Sequence, residues 1–281
     1  MSEALRLSVE DQHPARARSV RRFPATIGRF DEPESRRIID DLVRWIEDRY
    51  RADLAQRPSK HVYIRALPPD VIAAIDRLRD SPAITGAILR RFAAGHALTP
   101  MKRTDEVYIS HYNKDKGGDQ GLFSRHYDGN LRFLPYGAVV RALIYLQSDA
   151  TYRVVFHDSG VTQAFASYEF GLLDFHRELH WVEGTYNPGD RQRILLKCNY
   201  LVAPRSGGWL TRAVLAANGG VFAVVKAAME YSKSPKTLPQ HAVGLLCNLF
   251  RLLNNLHPLV PLAFVAALAV SVGRGLYRLL S

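Results

Sequence analysis

Apolar and polar positions along this chain change period twice. From Ile38 to Tyr50 the apolar residues recur at helical spacing. Ile38, Leu42, Trp45 and Ile46 fall on one face, and Asp31-Glu32-Pro33-Glu34 supplies a helix start with acids and proline in the first turn. Two shorter helices are predicted at Pro69 to Leu78 and Ile84 to Phe92, after the break at Leu67-Pro68-Pro69. Near Glu106 the period shortens to two. Val107 to Tyr112 is β-branched and aromatic, and short strands follow at about 122–128, 138–147, 152–157, 161–168, 170–175, 179–184 and 192–202. Asp149-Ala150, Asp158-Ser159-Gly160 and Asn187-Pro188-Gly189-Asp190 provide turns between them. Strands this short and this evenly spaced predict a sandwich or barrel-like domain, most naturally a jelly roll.

A third pattern starts after Pro204, where Arg205-Ser206-Gly207-Gly208 ends the alternation. Trp209 to Met229 predicts a helix interrupted at Gly219-Gly220, and Ser232 to Pro239 a polar linker. Gly244 to Leu256 is amphipathic and leucine-rich. Leu252 to Gly273 carries no Asp, Glu, Lys or Arg. As a helix it would measure about 33 Å, just enough to cross a bilayer. Asn254, Asn255, His257, Pro258 and Pro261 break its first half, which leaves Leu259 to Val272 as the strongly apolar run. A run that short suits packing on protein or lying at a membrane surface better than crossing. The expected organisation is α+β: a basic arm over 1–22, a catalytic-type domain over 23–203 and a helical extension over 204–281. Within the domain, 23–105 is expected to be helical and 106–203 a jelly-roll core.

Composition narrows the classes. With 47% hydrophobic and 23% charged residues in 281, the chain is globular and large enough to bury a core without staples. Cys198 and Cys247 make no disulfide framework and no zinc cluster, which fits a reducing compartment. Residues 1–22 contain no continuous apolar segment of the secretory kind. Glu3, Glu10 and Asp11 argue against an organellar presequence. The formal charge is +11, and after Asp190 the only acid is Glu230. Positive charge on apolar helices suits a membrane surface better than a nucleic-acid groove, and no nucleic-acid motif is present. The expected location is the cytoplasm, with membrane association through 204–281 as the variant the tail allows.

The chemistry-bearing pattern is His126-Tyr127-Asp128, followed by His180 and an arginine pair. On a strand, residues i and i+2 project to one face, so an imidazole and a carboxylate reach one point. A second histidine would complete a 2-His-1-carboxylate triad, which holds Fe(II) and leaves positions open for co-substrate and O₂. An H-x-D triplet is close to a chance event in a chain with ten histidines; its place at a strand end, before Gly129-Asn130, gives it weight. His176 and His180 compete as the distal ligand. Asp174 to Glu178 predicts a turn rim with His176 exposed, whereas His180 opens a strand, so His180 is preferred. His111 and His157 are expected to be strand residues without a ligand role.

From about Val107 to Val202 the chain resembles the Fe(II)/2-oxoglutarate-dependent dioxygenases, nearest to the prolyl-4-hydroxylase-like branch. The resemblance rests on Tyr108 to Tyr112, Phe123 to Asp128, Arg141 to Gln147, Gly171 to Phe175, His180 to Gly184 and Arg193 to Leu196, in this order and spacing. It covers about a third of the chain. It implies a double-stranded β-helix, Fe(II) on His126, Asp128 and His180, 2-oxoglutarate as co-substrate and ascorbate as an accessory. The far carboxylate of 2-oxoglutarate needs a cation on the strand after the distal histidine, and a guanidinium pairs with it bidentately. Arg191 and Arg193 share the right parity. Arg193 is preferred because it opens an Arg-Ile-Leu-Leu run, and Lys197 lies deeper. Tyr112 matches a position that hydrogen-bonds 2-oxoglutarate in this branch. The turn Thr185 to Asp190 is longer than usual, which leaves the choice of arginine open. No glycine-rich motif precedes Val154, so peptidyl-proline as substrate is not supported.

The resemblance implies hydroxylation of a C–H bond with release of succinate and CO₂, the partners being O₂ and an organic or peptidyl substrate. Two other readings stand beside it. One is a catalytically silent jelly-roll module held at a membrane by the C-terminal helices; the other is a cupin-type metalloenzyme that uses no 2-oxoglutarate.

Overall fold

The computed structural model describes residues 23–56, 59–110, 125–129, 138–184, 192–232 and 236–256. Helix α1 spans Pro33–Gln56. Pro33 needs no donor at that position, and Glu34 lies at the positive end of the helix dipole. The entry is fixed by Arg36, whose Nε donates to the Phe30 carbonyl at 2.8 Å. Ile38, Ile39, Leu42 and Ile46 are buried along one face. Helices α2 (Pro69–Arg79) and α3 (Pro82–Leu89) also open on proline. α3 ends earlier than its apolar pattern, because Arg91 and Phe92 donate three residues back, to Ile88 and Leu89, and tighten into a turn.

The region before Glu106 is not purely helical, as its pattern had suggested. It contains β1 (Thr26–Arg29), β2 (Ser59–Tyr63) and β3 (His96–Pro100). Each is four or five residues long, too short to set up a legible alternation. These strands join β4 (Glu106–Ser110), β5 (Ala138–Gln147), β8 (Glu169–Asp174) and β10 (Arg193–Pro204) in one antiparallel sheet. Its order is β1-β8-β5-β10-β4-β2, with β3 also on β10. A smaller antiparallel sheet has the order β7-β6-β9, from β6 (Asp149–Phe156), β7 (Val161–Ala166) and β9 (His180–Glu183).

β10 organises the larger sheet. It pairs β5 over Ile194–Val202, and on its other edge β4 over Arg193–Lys197 and β3 over Tyr200–Pro204. Alternation then sorts its side chains. Ile194, Leu196, Cys198, Tyr200 and Val202 pack in the core under α1, α2 and α3. Leu195 faces the other way, with Tyr108, Leu143, Tyr145 and Leu173, onto Tyr152, Val154, Phe156, Phe165 and Val182. The layers are therefore helices, large sheet and small sheet. The register of β5 against β10 shifts between Ile194 and Leu195, where Gln147 and then Tyr145 are the partners. Such a bulge bends the strand and re-aims the side chains beside it, here Tyr145 opposite the start of β10.

Two helices follow. α4 runs unbroken over Gly208–Ser232, so Gly219-Gly220 does not interrupt it. Each glycine costs about 1 kcal/mol relative to alanine in a helix, a penalty that a long helix with Ala-rich flanks tolerates. α5 spans Leu238–Leu256. No helix among the described residues is long and apolar enough to cross a membrane.

Candidate metal centre

His126 and His180 face each other in an isolated antiparallel bridge. Each backbone N–H donates to the other's carbonyl at 3.0 Å, which sets the two rings side by side with centroids 4.5 Å apart. Asp128, two residues on, turns to the same side. Its Oδ1 lies 3.7 Å from His126 Nε2 and its Oδ2 3.5 Å from His180 Nε2. One ligand atom from each of the three lies within 4.8 Å of the other two. Two imidazole nitrogens and one carboxylate oxygen so placed could hold a divalent ion.

The surroundings fix the protonation states a metal requires. His180 Nδ1 donates to the Glu178 carbonyl at 3.1 Å, which leaves Nε2 as the lone-pair nitrogen turned to Asp128. Burial lowers the His180 imidazole to about 4, against the pull of Asp128, so it stays neutral. Burial would raise Asp128, but Arg141, then His180, Lys197 and His126, outweigh it and hold the carboxyl well below its ordinary range. Arg141 Nη1 reaches Asp128 Oδ2 at 2.7 Å. Its Nε donates to Asn199 Oδ1 at 2.9 Å, and its guanidinium lies 4.3 Å from the Phe175 ring centroid.

That polar line continues behind the site. Asn199 Nδ2 donates to the Thr104 hydroxyl at 3.0 Å, and Asp105 Oδ1 accepts the Asn199 backbone N–H at 2.8 Å. Asp105 Oδ2 in turn lies 2.7 Å from Arg79 Nη2, on α2. Asp128 is thus the end of a buried chain of alternating charge that crosses from the site to the helical layer.

The turn carrying His176 differs from its expectation. Asp174, His176 and Glu178 are buried, not a solvent rim. Asp174 accepts the backbone N–H groups of His176 and Arg177 at 3.1 and 3.0 Å and folds the turn inward. Glu178 accepts from the Ser159 hydroxyl at 2.7 Å. His176 lies against Gly129, where a Cβ would come within 2.0 Å of its Nδ1. Only glycine fits there, and its N–H donates to the Phe175 carbonyl at 2.8 Å. His176 is not part of the three-residue group. His157 lies in a turn rather than a strand.

Arg193 is buried on β10, its guanidinium 5.4 Å from the Tyr145 ring centroid and its backbone in register with Ser110. The Ser110 hydroxyl is buried and takes no hydrogen-bond partner among the described residues, and the buried Tyr145 hydroxyl lies beside the Arg193 side chain. Burial raises the Tyr145 phenol, so it is an O–H donor. A guanidinium flanked by two buried hydroxyls suits a carboxylate. Lys197 is engaged elsewhere, 3.1 Å from Glu106. Arg191 and Tyr112, with His111, lie outside the described residues.

Arg141, Tyr145 and Ser110 were not singled out from sequence. A signal existed for Arg141: it is the one charge in the decapeptide Ala138–Gln147, and a charge inside a buried strand needs a counter-charge.

No protein-family model and no curated protein matches the chain. Among solved structures it is similar to the non-heme α-ketoglutarate-dependent epimerase SnoN from nogalamycin biosynthesis. The identity is 18% and the TM-score 0.43, over 68% of this chain and 84% of that one. It is similar to the prolyl hydroxylase of Trichoplax adhaerens in complex with a hypoxia-inducible-factor peptide fragment, at 16% identity and TM-score 0.41, over 63% and 83% of the two chains. It is also similar to the viral collagen prolyl hydroxylase of Paramecium Bursaria Chlorella virus-1 in its 2-oxoglutarate complex. There the identity is 12% and the TM-score 0.41, over 64% and 97%.

Proposed function

We propose that the chain is an Fe(II)- and 2-oxoglutarate-dependent oxygenase that hydroxylates a C–H bond of an organic or peptidyl substrate. The two sheets are, in this reading, the halves of a double-stranded β-helix, and 23–203 is the catalytic domain. The observation that carries the proposal is the convergence of His126, Asp128 and His180 within 4.8 Å, with both protonation states set for a cation. Fe(II) would be held by these three residues. With 2-oxoglutarate and O₂ it supplies the oxidising chemistry: substrate C–H becomes C–OH, and 2-oxoglutarate leaves as succinate and CO₂.

The chain's own residues do the positioning. Arg193, with the hydroxyls of Tyr145 and Ser110, would take the far carboxylate of 2-oxoglutarate. Leu195, Leu143 and Phe156 keep the space between the sheets apolar and exclude water. Arg141 holds Asp128 ionised and aimed.

The test is succinate release from 2-oxoglutarate by protein loaded with Fe(II) under anaerobic conditions and then given O₂. Uncoupled turnover without substrate is the expected signal, abolished in His126→Ala and Asp128→Ala. Tyr145→Phe should raise the KM for 2-oxoglutarate about tenfold, the worth of one hydrogen bond to a charged group, and Arg193→Ala should raise it further. Stoichiometric iron with turnover indifferent to Arg193 would point to a metalloenzyme that uses no 2-oxoglutarate. Absence of both iron and 2-oxoglutarate binding would overturn the proposal.

A further inference from the structure

α4 and α5 form a pair that touches the rest of the molecule at one end. Val214, with Leu215, packs on Met101, Val139, Phe175, Leu201 and Ala203. It is the one fully buried hydrophobic residue of either helix among the described residues. Beyond it the helices pack on each other and present apolar faces to solvent. On α4, Trp209, Ala213, Gly220, Val224, Ala227 and Tyr231 are exposed and lie along one side at spacings of three, four and seven. That side carries no charge and runs about 33 Å, with Trp209 (72% exposed) at one end and Tyr231 at the other. On α5, Leu238, Leu245, Leu246 and Leu249 form a second exposed stripe, Leu245 at 70%.

Isolated exposed leucines are ordinary, but apolar exposed residues aligned along both helices mark a docking surface. The charge of the same region selects the occupant. From Pro204 to Ser281 there are eight Lys and Arg against Glu230 alone, which is seven of the eleven net positive charges of the chain. A second copy would bring two such regions together and repel. A surface of anionic lipid headgroups attracts them, while the stripes enter the headgroup boundary and the aromatic rings at the ends of α4 sit at its polar level. Neither helix is long and apolar enough to cross, so the pair lies along the surface. We infer that α4 and α5 are a docking device for an anionic membrane surface. The inference does not depend on the catalytic reading, since it uses no residue of the metal centre.

The experiment is flotation of the full chain with vesicles of phosphatidylcholine alone and of phosphatidylcholine with phosphatidylserine. Binding is expected to the second only, weakening as salt is raised. Leu245→Ser with Leu249→Ser should lower partitioning by at least about tenfold, since both substitutions remove apolar area that would enter the headgroup boundary. Both residues are exposed, and thermal melting checks that the fold is kept. Trp209 emission should shift to the blue on anionic vesicles, a change that Trp209→Phe abolishes. Equal binding to neutral vesicles would remove the electrostatic half of the inference. No vesicle binding, together with a dimer that Leu245→Ser and Leu249→Ser dissociates, would replace the membrane with a protein interface.

Discussion

The two faces of β10 are built from the same twelve residues and serve opposite ends. Toward the helices, Ile194, Leu196, Cys198, Tyr200 and Val202 pack in the core, where the Tyr200 hydroxyl donates to the Arg79 carbonyl at 2.8 Å. Toward the small sheet, Arg193, Lys197 and Asn199 interrupt Leu195 and Leu201. Each polar side chain on that face has a neighbour that explains it: Tyr145 beside Arg193, Glu106 beside Lys197, Arg141 beside Asn199. Burying charge is unfavourable unless it is paired, so a protein seeking only stability would have made both faces apolar. The helix-facing side does what any core does. The inner side accepts that cost, and its Arg141 holds the Asp128 carboxyl well below its ordinary range. The teaching is that one parity of one strand and its neighbours carries the buried charge, and the other carries the packing.

Arg141→Ala breaks this comparison hardest. It leaves Asp128 buried without its principal counter-charge, which costs about 3–5 kcal/mol in folding. It also frees the carboxylate to rotate, and loss of such a supporting group lowers metal affinity about 10–100-fold. The two effects separate on adding metal. A bound divalent ion restores the missing positive charge, so excess Mn(II) should recover most of the melting temperature of Arg141→Ala while raising the wild type much less. A variant equally unstable with and without metal would mean that Arg141 serves packing alone. Leu196→Ala sharpens the contrast from the other face. Leu196 is fully buried, and its truncation should cost about 2–5 kcal/mol in urea unfolding. Turnover per folded molecule and iron stoichiometry should be unchanged, because no residue of the inner face has moved.

Much of this arrangement is legible in the sequence, and the part that is not has a physical reason. His126, Asp128 and His180 are readable because spacing carries them: His126 and Asp128 as i and i+2, although among the described residues the expected strand end is an isolated bridge at His126, and His180 as the first residue of β9. α1 is readable for the same reason, with Ile38, Leu42 and Ile46 at helical spacing. β1, β2 and β3 are not. Thr26–Arg29, Ser59–Tyr63 and His96–Pro100 are strands because β8, β4 and β10 offer them open edges, not because of their own pattern. The pairing of Arg141 with Asp128 is likewise a tertiary fact: the strand positions say that Arg141 needs a carboxylate without saying which. His176 is buried by a turn that folds around the Asp174 carboxylate, an event that hydropathy does not record. Tyr145 meets Arg193 through a bulge between β5 and β10, and bulges leave little trace in composition.

The smallest effect expected is a pH dependence that Glu106 gives to the inner face. Glu106 is buried, and burial alone would raise its pKa. Lys197, then His61 and Arg141, outweigh this and hold it well below the ordinary 4.5. Lys197 Nζ lies 3.1 Å from one carboxylate oxygen and His61 Nδ1 3.2 Å from the other. A carboxylate with a depressed folded-state pKa contributes stability that is fully present above its unfolded value. That contribution is lost as pH falls below it, because the unfolded chain takes up the proton first. The Glu106 contribution, read as the difference in unfolding free energy between the wild type and Glu106→Gln in urea titrations, should therefore hold steady down to about pH 4.5 and decline below it. Glu106→Gln cannot ionise, so it should be less stable than the wild type at neutral pH and show a shallower decline in acid, the two curves converging as pH falls. The Leu196→Ala curve should instead run parallel to the wild type at every pH, displaced by a constant amount, because the substitution removes no titrating group. Parallel curves for Glu106→Gln would show that the Lys197–Glu106 contact adds nothing beyond packing. The inner face would then owe its charged residues to the site alone.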